Sequence, residues 1–397
     1  MEIYQPAEDS LLLQKHIKQY AEGRVLDMGT GSGILAREAA KSPMVREVVA
    51  VDINGQAVEK LNAQKIKKIT AIESDLFEKV SGKFNLIIFN PPYLPQDKGM
   101  KDEAIYGGKK GWEISERFFK QAAKYLVSNG KILFLFSSLT KKSKINEILS
   151  NHLFQYQELA KEKLHFEELY IYLVEKTSLL RRLEAKGIEK ISYFDKGRRG
   201  LIYLGNFDRN QLIKSHFPSK PEIVKIAIKA ANPKSKVKNK IENEINWLKI
   251  LNQYNIGPKL LFADQDYMAY EFVEGKFLED WLKTGSRKEI INIFSSLFHQ
   301  CCQMDFLKVN KEEMHHPLKH IIIDRFFQPV LIDFERCKIT DKPKNVTQLM
   351  EFICRLKKEL ENKGLKVETG YLRSLAKEYK KSFDKALVEK IIKSLSG

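Results

Sequence analysis

Cysteine is scarce in this 397-residue chain. There are four, Cys301, Cys302, Cys337 and Cys354, all in the second half and none at metal-ligand spacing. That excludes a disulfide framework and a cysteine-held metal, and reduced thiols in a cytoplasmic protein are the simplest account. No apolar run approaches the ~20 residues that span a bilayer, and Met1-Glu2-Ile3-Tyr4 opens no signal-peptide pattern. No membrane partner is therefore expected, and the expected location is cytoplasmic. Negative charge is in deficit: 51 Asp and Glu face 68 Lys and Arg, for a net charge of +17. A ribosome or RNA met through a basic surface fits that balance. Basic and aromatic residues do not interleave, however, so a solvated Lys-rich surface explains it as well. With 43% hydrophobic residues and this length, two domains are the natural expectation.

What is present centres on Asn90-Pro91-Pro92-Tyr93. The preceding run, Phe84 to Phe89, is short, apolar and β-rich, and reads as a buried strand. Two prolines end it abruptly, since proline cannot continue a central strand. A polar amide and a phenol are left at a strand end, the rim where open α/β sheets bind ligands. The Asn90 side chain carries both an acceptor and donors and can grip an amide, amine or exocyclic amino group. Upstream, Pro6-Ala7-Glu8-Asp9-Ser10 precedes an amphipathic run from Leu11 to Tyr20, with Asp9 or Ser10 as its expected cap. A strand over 24–28 then runs through Asp27 into Gly29-Thr30-Gly31-Ser32-Gly33 and a helix. A second strand ends at Asp52-Ile53, where an acid suits a ribose with free hydroxyls. A third ends at Ser74-Asp75-Leu76, where Asp75 can accept from an adenine amino group and Leu76 can cover the ring.

Gly-x-Gly-x-Gly preceded by Asp, in place of Gly-x-Gly-x-x-Gly, resembles a class I S-adenosylmethionine methyltransferase. Pro6 to Ser10, the Asn90-Pro91-Pro92-Tyr93-Leu94-Pro95 stretch and Gly107 to Glu113 sharpen the likeness. Together they resemble the HemK-type glutamine methyltransferases that modify the Gly-Gly-Gln loop of class I release factors, in the short archaeal and eukaryotic branch. The resemblance covers about residues 1–176. It implies that Asn90 and the Pro91 carbonyl hold the substrate amide, with Pro92 and Tyr93 completing the catalytic set. It implies a cofactor site of Glu8, Asp27, Gly29, Thr30, Gly31, Gly33, Asp52, Ile53, Asp75 and Leu76. Asp27 and Gly29 would face the methionine end. It also implies a small zinc-binding activator protein, docked on an apolar sheet edge near the strand Val48 to Val51. Members of the branch also methylate protein lysine. A nucleic-acid adenine or guanine amino group is another acceptor that Asn-Pro-Pro-Tyr can grip, through base flipping; no separate target-recognition domain stands beside it.

Beyond residue 176 the sheet pattern stops and Leu179-Leu180-Arg181-Arg182 opens a basic stretch, so the boundary is placed there: residues 1–176, then 177–397. Lys196 to Gly205 reads as two strands joined by a Gly-rich turn. Glu222 to Lys229 reads as another strand, and a helix over about Lys238 to Gln253 carries Glu242 and Glu244. Pro329-Val330-Leu331-Ile332-Asp333-Phe334-Glu335-Arg336 comes late. This order resembles a small protein kinase of the RIO or KEOPS type, most of all a group of archaeal Ser/Thr kinases, over about residues 185–370. The resemblance implies that Gly197 and Gly200 roof the phosphates of ATP and that Lys225, preferred over Lys229, contacts them and pairs with Glu244. It makes Glu271 to Val273 the hinge and gives Mg to Asp333. His315 and His320 stand where such kinases carry Asp and Asn, so a divergent kinase and a nucleotide-binding pseudokinase both fit. Lys234, Lys236, Lys238 and Lys240, with Arg198 and Arg199, form a basic run suited to RNA. The expected fold is thus α/β, a Rossmann-like methyltransferase domain followed by an α+β kinase-like domain. A third reading makes the second half a non-catalytic, ATP-sensing or ribosome-docking module.

Overall fold

The computed structural model describes residues 2–96, 105–196, 200–212, 221–231 and 240–396. The chain divides into two compact units, Met1–Ile188 and Glu189–Gly397. The break falls after Ile188, not after residue 176.

The first unit runs α1 (Glu8–Tyr20), β1 (Gly23–Met28), α2 (Ile34–Ala40), β2 (Val45–Asp52), α3 (Gly55–Ala63), β3 (Ile69–Glu73), β4 (Phe84–Phe89), α4 (Glu113–Tyr125), β5 (Leu126–Ser137), α5 (Lys142–Asn151), β6 (Phe154–Lys163), β7 (Glu168–Lys176) and α6 (Ser178–Ala185). Its seven-stranded sheet has the order β3-β2-β1-β4-β5-β7-β6. The pairings among β1 to β5 are parallel, while β7 and β6 close the far edge antiparallel. Apart from Asn85, whose Oδ1 accepts from the Arg24 N–H, the β4 run is apolar and buried because both faces of the sheet are covered. Leu86 and Ile88 meet the α1, α2 and α3 side, with Leu13, Ile17, Leu35 and Leu61. Ile87 and Phe89 meet the α4 and α5 side, with Phe118, Phe119, Ile145 and Leu149. Sequence direction reverses across β1, with β2 on one side and β4 on the other, which opens the crevice of a doubly wound sheet at that strand.

Helix α6 belongs to this unit for a physical reason. Lys176 at the end of β7 is fully buried, and its ammonium donates to Glu184 of α6 at 2.7 Å and to the Leu126 carbonyl at 2.9 Å. Removing α6 would strand a buried charge. The sheet also relocates the expected docking edge. Val48 to Val51 lie in β2, which is paired on both sides, and the open edge is β3.

The second unit begins with β8 (Glu189–Lys196), β9 (Gly200–Asp208), β10 (Ile223–Ala231), α7 (Lys240–Leu251), β11 (Leu260–Ala263) and β12 (Tyr267–Glu271). Its strands form a five-stranded sheet of order β11-β12-β10-β9-β8, antiparallel at every pairing. Then follow β13 (Gly275–Phe277), α8 (Leu278–Thr284), α9 (Arg287–Phe306), β14 (Val309–Asn310), β15 (Ile321–Asp324), β16 (Pro329–Leu331) and β17 (Lys338–Ile339). The chain ends in α10 (Asn345–Arg355), α11 (Lys357–Glu361), α12 (Thr369–Ser382) and α13 (Lys385–Ser396). Helix α9 starts in a capping box, with the Ser286 hydroxyl and the Glu289 carboxylate satisfying one another's backbone N–H groups. All four cysteines are free and buried in this unit. Among the described residues no helix is long and apolar enough to cross a membrane.

Candidate active site

Sheet register brings the expected ligand residues together. Met28 pairs with Val51 on one side and Phe89 on the other, and Asp52 pairs with Glu73. The four parallel strands therefore end level, and the segments that follow them share one rim. They line a cavity of about 530 Å³, within the ~300–1,000 Å³ usual for small-ligand sites. Gly29, Thr30, Gly31, Asp52, Ile53, Asp75, Leu76, Asn90, Pro91, Pro92 and Tyr93 all face it.

The glycine turn follows from backbone geometry. Gly29 and Gly31 hold φ of +71° and +50°, in the left-handed region that favours glycine. The Asp52 carboxylate accepts from the Gly31 N–H at 2.7 Å and from the Asn54 N–H at 2.9 Å, so one acid ties the turn to the β2 end. Gly33 does not line the cavity. A Cβ there would lie 2.7 Å from Leu61 Cδ1, so its smallness lets α2 start against α3.

Two residues expected at the cofactor, Asp27 and Glu8, are not among those that line the cavity. Asp27 sits behind the turn and does not line the cavity; it accepts from Thr30 Oγ1 at 2.6 Å and from the Ala36 N–H at 3.0 Å. Complete burial pushes its carboxyl up to about 6, against the pull of those two bonds. Glu8 is exposed in the first turn of α1 and also lies off the cavity. The carboxylate that reaches the cavity is Asp9. The capping expectation fails with it, because the helix begins at Glu8 with Ala7 as a cap that makes no side-chain bond.

At the β3 end of the cavity, Leu76 is buried with φ +46°. Phe77 anchors that turn by stacking on Tyr125 at 4.5 Å and Phe118 at 5.2 Å. Asp75 accepts from Arg117 of α4 at 2.7 Å. At the opposite end, Asp9 is 3% exposed and its Oδ2 accepts from the Tyr4 hydroxyl at 2.9 Å and from Asn90 Nδ2 at 3.0 Å. Asn90 Oδ1 and Glu167 Oε2 are buried atoms without a hydrogen-bond partner. Burial, then the Asp9 and Glu167 charges, raise the Tyr93 phenol well above its ordinary value. Sequence reasoning assigns none of Tyr4, Asp9, Arg117 and Glu167 to the site. Only Asp9 lies inside a motif, and there it reads as a cap.

Comparison with known proteins decides the family. The Methyltransferase small domain family matches residues 7–167. A Methanocaldococcus jannaschii protein named as putative protein N5-glutamine methyltransferase MJ0928 is 40% identical over 179 residues, 43% of this chain and 90% of that protein. The chain belongs to the protein N5-glutamine methyltransferases. Mouse methyltransferase HEMK2 is 30% identical over 32% of this chain and 69% of its own length. The release factor glutamine methyltransferase of Deinococcus radiodurans is 31% identical, and the chain spans about half of it, 48%. Among solved structures, the E. cuniculi Mtq2-Trm112 complex, described as responsible for methylation of the eRF1 translation termination factor, is 26% identical over 45% of this chain and all of that chain, with a TM-score of 0.38. All these matches cover less than half of the chain. This N5-glutamine methyltransferase has the class I Rossmann-like fold in its first unit, with S-adenosylmethionine as methyl donor. The cavity suits that donor: an acid at the β2 end for a diol, apolar Leu76 and Ile53 for a base, and open glycine backbone between them.

In the second unit a separate constellation forms, with another correction. Lys229 Nζ donates to Glu244 of α7 at 2.6 Å and to Asp333 at 3.2 Å. Lys225, expected in that role, instead lies 4.3 Å from the Phe272 ring centroid. The two lysines share a face of β10, but four residues of strand separate them by about 13 Å. Only Lys229 is level with Glu244. Burial works against the Lys229 charge, and the Glu244 and Asp333 carboxylates more than offset it, raising its pKa. Gly200 lets β9 close on this lysine, since a Cβ would lie 3.5 Å from Lys229 Cγ and 3.0 Å from the Ala230 carbonyl. Asp333 follows β16 at φ +65°, a strained conformation for a residue with a side chain. His320 Nδ1 lies 3.7 Å from Asp333 Oδ2. Lys311, fully buried, donates to the Asp333 carbonyl and contacts Glu313 at 3.3 Å. His315 does not join this group; it is exposed and its ring lies against His316. The Glu271 carboxylate pairs with Arg209 and Lys259, and Val273 is half-buried just after β12. Gly197, Arg198, Arg199, Lys234, Lys236 and Lys238 lie outside the described residues.

Proposed function

We propose that the first unit methylates the side-chain amide nitrogen of the glutamine in a class I release factor Gly-Gly-Gln loop. The observation that carries this reading is Asn90 Oδ1, a buried acceptor without a partner at the cavity end opposite Asp75. In this reading Asp52 holds the ribose, Asp75 and Leu76 the adenine, and Gly29 to Gly31 the methionine portion, with Asp27 bracing the turn from behind. S-adenosylmethionine supplies a methyl group already activated as a sulfonium. The protein then has to align an amide nitrogen with it and exclude water. Asn90 and the Pro91 carbonyl accept from that nitrogen, and Tyr93 walls the slot. The test is transfer of labelled methyl to a release factor and to its Gln→Ala loop variant. Label on the wild type alone supports the reading, and label on both moves the acceptor off that glutamine to another side chain of the protein, lysine among them. This reading includes a small zinc-binding activator on the open edge of β3, tested by repeating the assay with and without it.

We infer that the second unit is a kinase-like nucleotide-binding module. Lys229, bridged between Glu244 and Asp333, supports it: a cation held for phosphates beside a carboxylate that would take magnesium. His320 flanks that carboxylate, whereas His315 stands away from it, which favours nucleotide binding over phosphotransfer. Magnesium-dependent ATP binding tests the first, and phosphate release or transfer tests the second.

A further inference from the structure

We propose that Asp9 is a positioning residue that fixes the hydrogen-bond polarity of Asn90, so that its amide oxygen, and not its amide nitrogen, meets the acceptor nitrogen. The proposal deepens the methyl-transfer reading above and rests on it for its kinetic arm.

The argument is one of donors and acceptors. A primary amide has a donor end and an acceptor end of nearly the same shape, and its orientation is set by its neighbours. The neighbour of Asn90 is a carboxylate, which when ionised only accepts. Asp9 is 3% exposed and fully engaged: Oδ1 accepts from the Ser10 N–H, and Oδ2 accepts from both the Tyr4 hydroxyl and Asn90 Nδ2. A flipped Asn90 would set its oxygen against the Asp9 carboxylate in a buried place, where such a contact is costly. The donor end of Asn90 is thus used up on α1, and Oδ1 is left buried, unpartnered and at the cavity. An acceptor nitrogen that presents an N–H there is gripped, and a group that presents only lone pairs is refused. The arrangement also ties the N-terminal arm to the reaction centre, because Tyr4 shares the oxygen that holds Asn90.

The isosteric variant Asp9→Asn isolates this role. The amide introduced at position 9 would keep an oxygen for the Ser10 N–H and turn its NH₂ toward Asn90. Asn90 would then have to offer its oxygen to that amide and its nitrogen to the acceptor, donor against donor. The expected result is a fall in kcat of at least about 30-fold, with S-adenosylmethionine Kd within about threefold of wild type. Asn90→Asp alone sets two carboxylates side by side and is also expected to lose activity. The double variant Asp9→Asn/Asn90→Asp restores the pattern. The carboxylate introduced at position 90 takes an N–H of the new amide with one oxygen and faces the acceptor with the other. Its kcat should exceed that of either single variant at least about tenfold, an outcome that a merely structural role for Asp9 does not produce. Asp9→Asn within about threefold of wild-type kcat, or a double variant no better than the singles, would overturn the proposal. A second measurement does not depend on turnover or on a foldable variant. The side-chain NH₂ of Asn90 in the wild type, assigned by ¹⁵N-asparagine labelling, should exchange slowly with solvent; exchange at the rate of a solvated amide overturns the assignment. Failure of the wild type to label release factor would count against the substrate reading and leave that exchange result standing.

Discussion

At the scale of single residues, the first unit separates groups that hold a turn from groups that face a ligand. Asp52 does both, tying Gly31 while lining the cavity. Asp52→Ala should weaken S-adenosylmethionine binding by roughly 1.5–3 kcal/mol, the increment of a charge-assisted hydrogen bond. Isothermal titration measures it directly, and an unchanged affinity would remove Asp52 from the ribose. Asn90→Ala should leave that affinity in place and lower methyl transfer by ~10²-fold or more, since alignment carries most of the rate. Loss of cofactor binding in that variant would contradict the role assigned to Asn90. The residue scale is also where a sequence reading is most exposed to error. Asp9 and Glu8 are adjacent carboxylates at a helix start, and nothing local says which points inward. Burial of Asp9 against Tyr4 and Asn90 decides it.

At the scale of elements, register does the sorting. Lys225 and Lys229 lie on one face of β10, and the position of α7 chooses between them. Lys229→Met should abolish magnesium-dependent ATP binding while Lys225→Met leaves it, as read by a fluorescent nucleotide titration; the reverse pattern would return the role to Lys225. A second junction is Asp305, buried where α9, α10 and α12 meet. It accepts from the Asn345 and Val346 backbone N–H groups, the Asn345 side chain and the Tyr379 hydroxyl. Burial raises its carboxyl to about 6 despite those bonds. A folded-state pKa above the unfolded value means that the neutral form is favoured by folding. Its contribution is complete below pH ~4 and is lost as pH rises through about 6. Asp305→Asn, which cannot ionise, should therefore gain on wild type in melting temperature between about pH 4 and pH 7. A difference that stays constant across that range would remove Asp305 as the cause.

At the scale of the whole molecule, the boundary is decided by a buried charge. Lys176 is 0% exposed, and burial lowers its pKa despite Glu184. A fragment ending at residue 176 leaves that ammonium without its carboxylate, a loss of about 3 kcal/mol for a broken buried pair. A fragment of residues 1–188 should therefore melt higher than one of residues 1–176, and equal melting temperatures would place α6 outside the fold.

The sequence alone determined the order of strands and helices in the first unit, the glycine turn, the acids at the strand ends and the Asn-Pro-Pro-Tyr stop. These are local: a strand ends where two prolines forbid it, and glycines mark positive φ. Tertiary structure alone decided which of two neighbouring carboxylates and which of two strand lysines faces a site. It moved the sheet edge from β2 to β3, and it set Asp27 behind the turn instead of in the cavity. Those outcomes depend on partners far along the chain, Asn90 for Asp9 and Glu244 for Lys229, because burial and electrostatic pairing act through space and not along the backbone.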